Sequence, residues 1–385
     1  MILIFCVVTL FYFICSLILS NGIKSYKTFS NPTGIIALPY VSVIIAVRDE
    51  EIYIENLLDS LSEQNYPSEK IEFIIIDDGS TDNTYNILSE IVTNDNRFKI
   101  IKAGKPSKGF SPKKWALNQG IKIAEGEVLI MTDGDCKMEE DWARYMAYHF
   151  NNKDVGMVLG SSPLGMSRSI WDRAMQMDSV GLDALMMSTL IVNIPFTASG
   201  RNLAIRKIAF DEIDGYNAIG QFTSGDDDLL MHAISQSAWR IVPCLEKGSE
   251  VRSPAPKGWA EFFWQRIRFA SKGKAYFQLD FVKSTFRTGL LFIFFTNFIV
   301  LLSQLIFLVY QESIFLIPWL LKIVSDLFLI NAYLSKTKGS LDLTYFLFNE
   351  LWHALYVTVF GIIGPFTPVY WKGRRSKTDL SVQAS

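Results

Sequence analysis

The chain has 385 residues, with 14% aromatic residues, 20% charged residues and a formal net charge of −2. This length allows a sizeable core plus further elements, and the near-neutral charge excludes a strongly basic nucleic-acid-binding protein. The mean hydropathy is positive, which is unusual for a purely soluble protein. The charged content is nevertheless too high for a chain built only of membrane helices.

The first predicted element is a membrane anchor over residues 1–23. Residues 1–21 carry no charged side chain and are rich in Leu, Ile, Phe and Val, and about 20 such residues span a bilayer core. A cleavable signal peptide is the alternative, but it has a basic segment before its apolar run. Here the basic residues Lys24 and Lys27 follow the run, which favours an uncleaved anchor with the next domain in the cytoplasm.

Residues 38–257 are predicted to form a soluble α/β domain. Short β-branched apolar runs alternate there with amphipathic segments, a pattern typical of a Rossmann-like, mostly parallel sheet covered by helices. In such sheets, ligands bind beyond the carboxyl ends of the strands. The predicted elements are, in chain order, strand 40–47, helix 50–64, strand 71–76, helix 82–92, strand 98–101, helix 115–124 and strand 127–131.

Two acidic clusters stand at the ends of predicted strands. Asp133 and Asp135, separated by Gly134, follow the fourth strand and can converge on a divalent cation, Mg²⁺ or Mn²⁺, which bridges diphosphate oxygens. Asp77 and Asp78 follow the second strand and can accept hydrogen bonds from a nucleoside. A surface turn is the alternative for both clusters, because Asp and Gly favour turns.

A third acidic cluster, Asp226, Asp227 and Asp228, precedes a predicted helix. Acidic residues in a first helical turn interact favourably with the helix dipole, which is the alternative explanation. Three in a row exceed what capping needs, so one of them is a candidate general base for an acceptor hydroxyl.

Residues 258–285 are predicted to form an amphipathic segment at the membrane interface, because the segment mixes aromatic with basic side chains. The segment contains Gln265, Arg268 and Phe269. An arginine at this place can hold a diphosphate.

The region 286–371 is predicted to be a second membrane region. Lys322 and Asp326 interrupt its middle part, and their i, i+4 spacing lets them pair or meet a neighbouring helix. If every apolar stretch crosses the membrane, the basic polar tail 372–385 lies outside, against the positive-inside tendency, so the number of crossings stays open. The apolar stretches are 288–311, 313–334 and 341–371, the last with possible breakers at Gly361, Gly364, Pro365 and Pro368.

Taken in chain order, these motifs resemble those of the family 2 glycosyltransferases with a GT-A fold, over about residues 41–276. Each motif is weak singly, but their order between apolar segments is hard to reach by chance. Two departures matter, because Phe269 replaces the family's tryptophan and Asp226 replaces its glutamate. The similar segments are 48–51, 77–82, 113–118, 133–135, 200–206, 225–227 and 265–269.

The resemblance also implies a role for individual residues. It favours Asp227 as the base, with Asp226 and Asp228 left as alternatives, and it implies that Arg268 neutralises the leaving diphosphate. The implied residues are Glu50, Asp77, Asp78, Lys113 and Asp133 for the nucleotide sugar, Asp133 and Asp135 for the metal, Gly200, Asn202 and Phe269 for the acceptor side, and Asp227, Asp226, Arg268 and Gln265 for catalysis.

The resemblance implies an inverting transfer from a nucleotide sugar, expected to be a UDP-sugar, to a hydroxyl of a lipid-linked or glycan acceptor. The expected place is the cytoplasmic face of a bacterial inner membrane, with membrane lipids as partners and no nucleic acid. A processive polysaccharide synthase is an alternative, although the few apolar segments favour single transfer. A non-catalytic membrane scaffold and a nucleotidyltransferase are alternatives of other classes, and the intact acidic clusters argue against the scaffold.

Overall fold

The computed structural model describes residues 1–29, 38–91, 95–165, 169–371 and 374–376. The chain divides into two compact units, neither of which is one continuous segment. Residues 166–196 fall inside the predicted domain 38–257 but cluster with the apolar helices instead. The first unit comprises Met1–Lys27, Met166–Phe196 and Ala255–Val369, and the second comprises Thr28–Gly165, Thr197–Pro254 and Tyr370–Ser385.

A seven-stranded sheet forms the core of the second unit, in the order β3-β2-β1-β4-β7-β6-β8. Strand β1 is parallel to β2 and β4, β2 to β3, and β6 to β8, whereas β7 is antiparallel to both of its neighbours. The predicted mostly parallel sheet is therefore confirmed. The strands of the unit are β1 (Val41–Val47), β2 (Ile71–Asp77), β3 (Phe98–Lys102), β4 (Val128–Asp133), β5 (Lys137–Met138), β6 (Val155–Gly160), β7 (Leu203–Arg206), β8 (Arg240–Cys244) and β9 (Val251–Arg252).

Each helix predicted before β4 is present, with its ends shifted by a few residues. The predicted helix 50–64 begins only at Ile54, because the backbone N–H groups of Glu50 and Glu51 donate to the side chains of Thr84 and Asp82, which follow β2. The α-helices are α1 (Ile2–Ser25), α2 (Ile54–Ser62), α3 (Thr84–Ile91), α4 (Pro112–Ile123), α5 (Trp142–Tyr148), α6 (Ile170–Ile191), α7 (Lys207–Glu212), α8 (Asp228–Ile234), α9 (Trp259–Ala270), α10 (Gly273–Gln278), α11 (Ser284–Tyr310), α12 (Ile317–Thr337) and α13 (Leu343–Ile363).

The register of the parallel strands brings the first two acidic clusters to one edge of the sheet. Val47, at the end of β1, is opposite Asp77 of β2, and Ala46 is opposite Asp133 of β4. Adjacent strands are about 4.8 Å apart, so Asp77 and Asp133 flank β1 with their backbones about 10 Å apart. The predicted clustering of these acids beyond the carboxyl ends of the strands is a direct result of this register.

Within the described residues of the first unit, four helices are long and apolar enough to cross a membrane: Ile2–Ser25, Ser284–Tyr310, Ser313–Thr337 and Leu343–Phe366. They correspond to the apolar stretches predicted at the two ends of the chain. Helix α13 ends at Ile363, among the predicted breakers, and a 3₁₀ turn follows. Of the predicted tail 372–385, only 374–376 lie within the described residues; β10 (Val369–Trp371) and β11 (Arg374–Ser376) end this part of the chain.

A buried ionic cluster joins three of these helices. The Lys322 ammonium lies 2.6 Å from Asp326 Oδ2 on its own helix and 2.8 Å from Glu350 Oε2 on α13. Tyr12 of α1 donates a hydrogen bond to Asp326 Oδ1 at 2.7 Å. The predicted i, i+4 pair therefore forms and also meets a neighbouring helix. Because charges in apolar surroundings are costly unless paired, this cluster fixes the relative register of α1, α12 and α13.

Replacing Lys322 with methionine removes the ammonium and leaves two carboxylates close together in a buried place. We expect the free energy of unfolding to fall by about 3–5 kcal/mol, the usual cost of deleting one partner of a buried ion pair. Thermal unfolding of the detergent-purified protein measures this loss. Lys338→Gln, at an exposed position after α12, is the control, and an equal unfolding midpoint for both variants would contradict the stabilising role of the cluster.

Candidate active site

The loops after β1 and β2 are joined to each other by short hydrogen bonds. Arg48 Nη1 donates to the carbonyl oxygens of Asp78 at 2.8 Å and Gly79 at 3.0 Å. Asp49 Oδ1 accepts from the backbone N–H of Thr81 at 2.7 Å. Asp49 has a φ of 49°, which an aspartate tolerates better than most side chains. These bonds hold segments 48–51 and 77–82, both predicted to contact the nucleotide sugar, together as one rigid edge.

Three of the predicted nucleotide-contacting residues lie at this edge. Asp77 and Asp78 are buried, and Asp77 Oδ1 accepts a hydrogen bond from the backbone N–H of Ser80 at 3.1 Å. Glu50 packs against Gly134, where an added Cβ would lie 3.0 Å from Glu50 Cγ. Glycine between the two aspartates after β4 therefore allows the close approach of Glu50.

Lys113 connects Asp133, at the end of β4, with Asp226 of the third acidic cluster. Its ammonium lies 2.8 Å from Asp133 Oδ1 and 2.7 Å from Asp226 Oδ2. Burial disfavours the charged form, but the carboxylates of Asp133 and Asp226 outweigh burial and hold the pKa of Lys113 well above its ordinary value. Burial likewise opposes ionisation of Asp226, yet Lys113 and Lys114 hold its pKa well below the ordinary range. Lys113 and Asp226 are therefore both charged at neutral pH.

A cavity lies around this lysine, and four of its lining residues are predicted site residues from separate parts of the chain. Gly200 is one of them: an added Cβ there would lie 3.2 Å from Asp226 Oδ2, so a larger residue would crowd the carboxylate. The cavity is lined by Lys113, Leu117, Met131, Thr132, Asp133, Gly200, Leu203 and Asp226.

The three acids of the third cluster have different surroundings. Asp226 is paired with Lys113, and Asp228 is buried with its Oδ1 accepting from the backbone N–H of Leu229 at 2.8 Å. Asp227 is more exposed than either and caps α8. Its Oδ1 accepts from Asp228 N at 2.7 Å and its Oδ2 from Gly200 N at 3.0 Å. These two bonds fix the orientation of the Asp227 carboxylate.

Asn202 lies inside the framework that supports the site. It is 0% exposed, its Oδ1 accepts from Trp142 Nε1 at 2.9 Å, and its Nδ2 donates to the carbonyls of Ser161 and Ser249, both at 2.8 Å. This differs from the acceptor-facing position that the resemblance implied, because three buried backbone and ring groups use its amide. Asn202 therefore connects the segments of Trp142, Ser161 and Ser249, two residues after Gly200 in the chain.

The other predicted catalytic residues, Gln265 and Arg268, lie with Phe269 on α9 in the first unit. Gln265 and Arg268 are half-buried, and Phe269 is 38% exposed with the Arg268 guanidinium over its ring at 5.3 Å. Trp259, at the start of the same helix, is 65% exposed. The amphipathic character predicted for this segment is present.

Sequence reasoning missed the anchor of α9. Arg266, between the two predicted catalytic residues, is buried and donates to Asp178 of α6, which also accepts from the Tyr356 hydroxyl of α13. Helix α6 was not predicted, because Asp178 and Asp183 interrupt its otherwise apolar pattern. One sequence signal for its start is Ser169 followed three residues later by Asp172, and Ser169 accepts a hydrogen bond from Asp172 N in the structure.

The residues after β4 suit a divalent cation by their chemistry. Asp133 and Asp135 offer carboxylate oxygens, which Mg²⁺ and Mn²⁺ prefer, and both are only partly buried. Asp133 shares its Oδ1 with Lys113. The donor set therefore fits the predicted Mg²⁺ or Mn²⁺.

Residues 42–213 match the family model described as glycosyl transferase family 2. This match covers a little less than half of the chain, and over it the chain is similar to that family. Over 212 residues the chain is 29% identical to the beta-monoglucosyldiacylglycerol synthase of Nostoc sp., an alignment that covers 54% of this chain and only 44% of that relative. Over 312 residues it is 27% identical to the poly-beta-1,6-N-acetyl-D-glucosamine synthase of Staphylococcus epidermidis, covering 79% of this chain and 67% of that one.

Among solved structures, the chain is similar to the mannosyltransferase PcManGT from Pyrobaculum calidifontis, solved in complex with GDP-Man and Mn²⁺. The TM-score is 0.55 at 16% identity, and the match covers 95% of this chain and 99% of that chain. This likeness concerns the fold. Together with the sheet order, it confirms the predicted GT-A fold.

The Lys113–Asp226 contact predicts a pH-dependent effect of Lys113→Met. Without the Lys113 ammonium, only Lys114 remains as a cation to oppose the effect of burial, so the pKa of Asp226 in the folded state rises and the variant loses stability relative to wild type as the pH rises. We expect the variant to be about 3 kcal/mol less stable than wild type near pH 7, and the gap to narrow toward pH 4.

Thermal unfolding between pH 4 and 8 measures this gap. Lys105→Met, in an exposed position of the preceding loop, is the matched control and should show no gap. A gap for Lys113→Met that does not change with pH would indicate lost packing and not a lost ion pair.

Proposed function

We propose that this protein is a membrane-anchored, inverting glycosyltransferase that moves a sugar from a nucleotide sugar, taken to be a UDP-sugar, to a hydroxyl of a lipid acceptor. The observation that carries the proposal is the Lys113 ammonium between Asp133 and Asp226, beside a cavity at the carboxyl ends of parallel strands. In open α/β sheets this is the edge where ligands bind.

The donor is expected to lie along the edge formed by the β1, β2 and β4 loops. Asp77 and Asp78 would accept hydrogen bonds from the nucleoside, with Glu50 beside them, and Lys113 would contact the diphosphate. The rigid hydrogen bonding between the loops after β1 and β2 supports this assignment, because a preformed edge costs little ordering when a nucleotide binds.

Asp133 and Asp135 would hold Mg²⁺ or Mn²⁺. A divalent cation there would supply positive charge next to the leaving diphosphate. Arg268 of α9 is proposed to add a second positive charge for the same group, through the planar donors that suit phosphate oxygens.

Asp227 is proposed as the general base. Its carboxylate would take the proton of the acceptor hydroxyl as that oxygen attacks the anomeric carbon from the face opposite the nucleotide. The bond from this carbon to the diphosphate oxygen breaks, a nucleoside diphosphate leaves, and the configuration inverts. The greater exposure of Asp227 and its fixed orientation, compared with paired Asp226 and buried Asp228, support this choice.

The acceptor is proposed to be a membrane lipid with a free hydroxyl. The four apolar helices support a membrane location, and the relative from Nostoc sp. is named for a glucosylated diacylglycerol. The proposed membrane is a bacterial inner membrane. Lys24 at the end of α1 and Lys27 after it support a cytoplasmic catalytic domain, because basic residues next to a membrane helix tend to stay on the cytoplasmic side. The Staphylococcus epidermidis relative, named a polysaccharide synthase, keeps processive synthesis as a second candidate.

The function is tested with the purified protein in detergent and a panel of nucleotide sugars, by measuring nucleoside diphosphate release with and without membrane lipid extract. Release from one donor that depends on the lipid, with a product carrying a single sugar, supports the proposal. Products that lengthen without release favour the processive candidate. Diphosphate release from a nucleoside triphosphate would instead indicate a nucleotidyltransferase, and no release or donor binding would favour a scaffold.

Asp227→Asn is expected to lower the transfer rate by about 10²–10⁴-fold, the usual contribution of a general base. Asparagine still caps α8, so folding and donor affinity should stay near wild type. Single-turnover transfer and equilibrium nucleotide binding separate the two effects. Asp59→Asn, at an exposed position of α2, is the control, and a near-normal rate for Asp227→Asn with a lost rate for Asp228→Asn would reassign the base.

Asp135→Ala is expected to abolish the part of nucleotide-sugar affinity that depends on added Mn²⁺ or Mg²⁺. Titration of the donor by calorimetry, with and without EDTA, measures this part in wild type and variant. The two curves of the variant should coincide. A variant that still gains affinity on metal addition would exclude Asp135 as a ligand.

A further inference from the structure

A second cluster of possible metal ligands lies in the same unit, away from the acidic loops. His149 follows α5, Cys244 ends β8, and Glu246 comes two residues later. The Glu246 Oε2 atom lies 3.4 Å from His149 Nε2 and 3.2 Å from Cys244 Sγ. Strand β8 is three positions from β4 in the sheet, about 14 Å by strand spacing, so this cluster is distinct from the aspartates after β4.

We propose that His149, Cys244 and Glu246 form a zinc site. The three possible ligand atoms all lie within 4.8 Å of one another. In a tetrahedral site, with Zn–S near 2.3 Å and Zn–N and Zn–O near 2.0–2.2 Å, ligand atoms are about 3.4–3.6 Å apart. The separations of Glu246 Oε2 from His149 Nε2 and from Cys244 Sγ are already close to these edges.

The three side chains lie close together in a largely buried place. His149 Nε2 is buried, and its contact with Glu246 Oε2 at 3.4 Å is at the long limit of a hydrogen bond. Cys244 and Glu246 are buried as well. The ring of Phe29 packs edge-on to His149 at 5.2 Å, and its backbone N–H reaches Glu246 Oε1 at 3.4 Å, as an outer shell orients ligands.

The donor set selects the metal. One imidazole nitrogen, one thiolate and one carboxylate suit Zn²⁺, whereas the oxygen donors of Asp133 and Asp135 suit Mg²⁺ or Mn²⁺. Three protein ligands leave a fourth position for water. Binding releases the thiol proton of Cys244, because the thiolate is the ligand.

The zinc ion would fix the segment between β8 and β9. Ser249 Oγ donates to the Glu246 carbonyl at 2.7 Å, and the Ser249 carbonyl accepts from Asn202. Asn202 is two residues from Gly200 at the candidate active site. The ion would therefore have a structural role. It would connect the end of α5 with the end of β8 and stabilise the segment that hydrogen-bonds to Asn202.

The test uses the full chain purified in detergent without chelator. We expect about one zinc per chain by elemental analysis. After removal of zinc and addition of Co²⁺, a thiolate-to-cobalt charge-transfer band should appear, which an oxygen-only site cannot give. The band and the zinc should persist in Cys15→Ser, which changes a thiol of α1, and disappear in Cys244→Ser.

Glu246→Gln keeps the side-chain volume and serves if Cys244→Ser does not fold. We expect it to lower the zinc affinity at least tenfold in competition with a chromophoric chelator. Wild-type protein that neither contains zinc nor gives the cobalt band would overturn the proposal. A band of equal intensity in wild type and Cys244→Ser would overturn it too, because another thiol would then be the ligand.

Discussion

The candidate active site depends on one ammonium group held between two carboxylates. Lys113 lies within hydrogen-bonding distance of Asp133 and Asp226, which come from segments 93 positions apart in the sequence. Without this cation, the carboxylates of Asp133 and Asp226 would face each other across the cavity without a positive charge between them. The charges are preorganised, so little rearrangement is needed when a substrate binds.

Local sequence patterns predicted the sheet and the acidic edge because both depend on neighbouring residues. Short β-branched runs predicted β1 to β4, and parallel strands bring their carboxyl ends to one edge. The pairing of Lys113 with Asp226 could not be predicted from local sequence patterns, because it depends on how α4 and the loop before α8 pack against each other. Asn202 shows the same limit, because its surroundings come from three distant segments.

Helix α6 was missed for a different physical reason. Its apolar residues are interrupted by Asp178 and Asp183, which reduces the hydropathy signal of a buried helix. The hydrogen-bond partners of these acids are far away in the sequence. Asp178 accepts from Arg266 and Tyr356, and Asp183 accepts from Tyr333 at 3.4 Å. Paired polar groups inside a helical bundle are therefore as much a part of its packing as the apolar side chains.

The division of each unit into separate stretches has a consequence for synthesis of the chain. Tyr12 of α1 donates to Asp326 of α12, 314 residues later. At a translation rate of about 5–20 residues per second, the first helix waits about 15–60 s before its partner has been made. During this interval the Tyr12 hydroxyl lacks its final acceptor, so α1 depends on lipid headgroups, water or an assisting protein until the last third of the chain emerges.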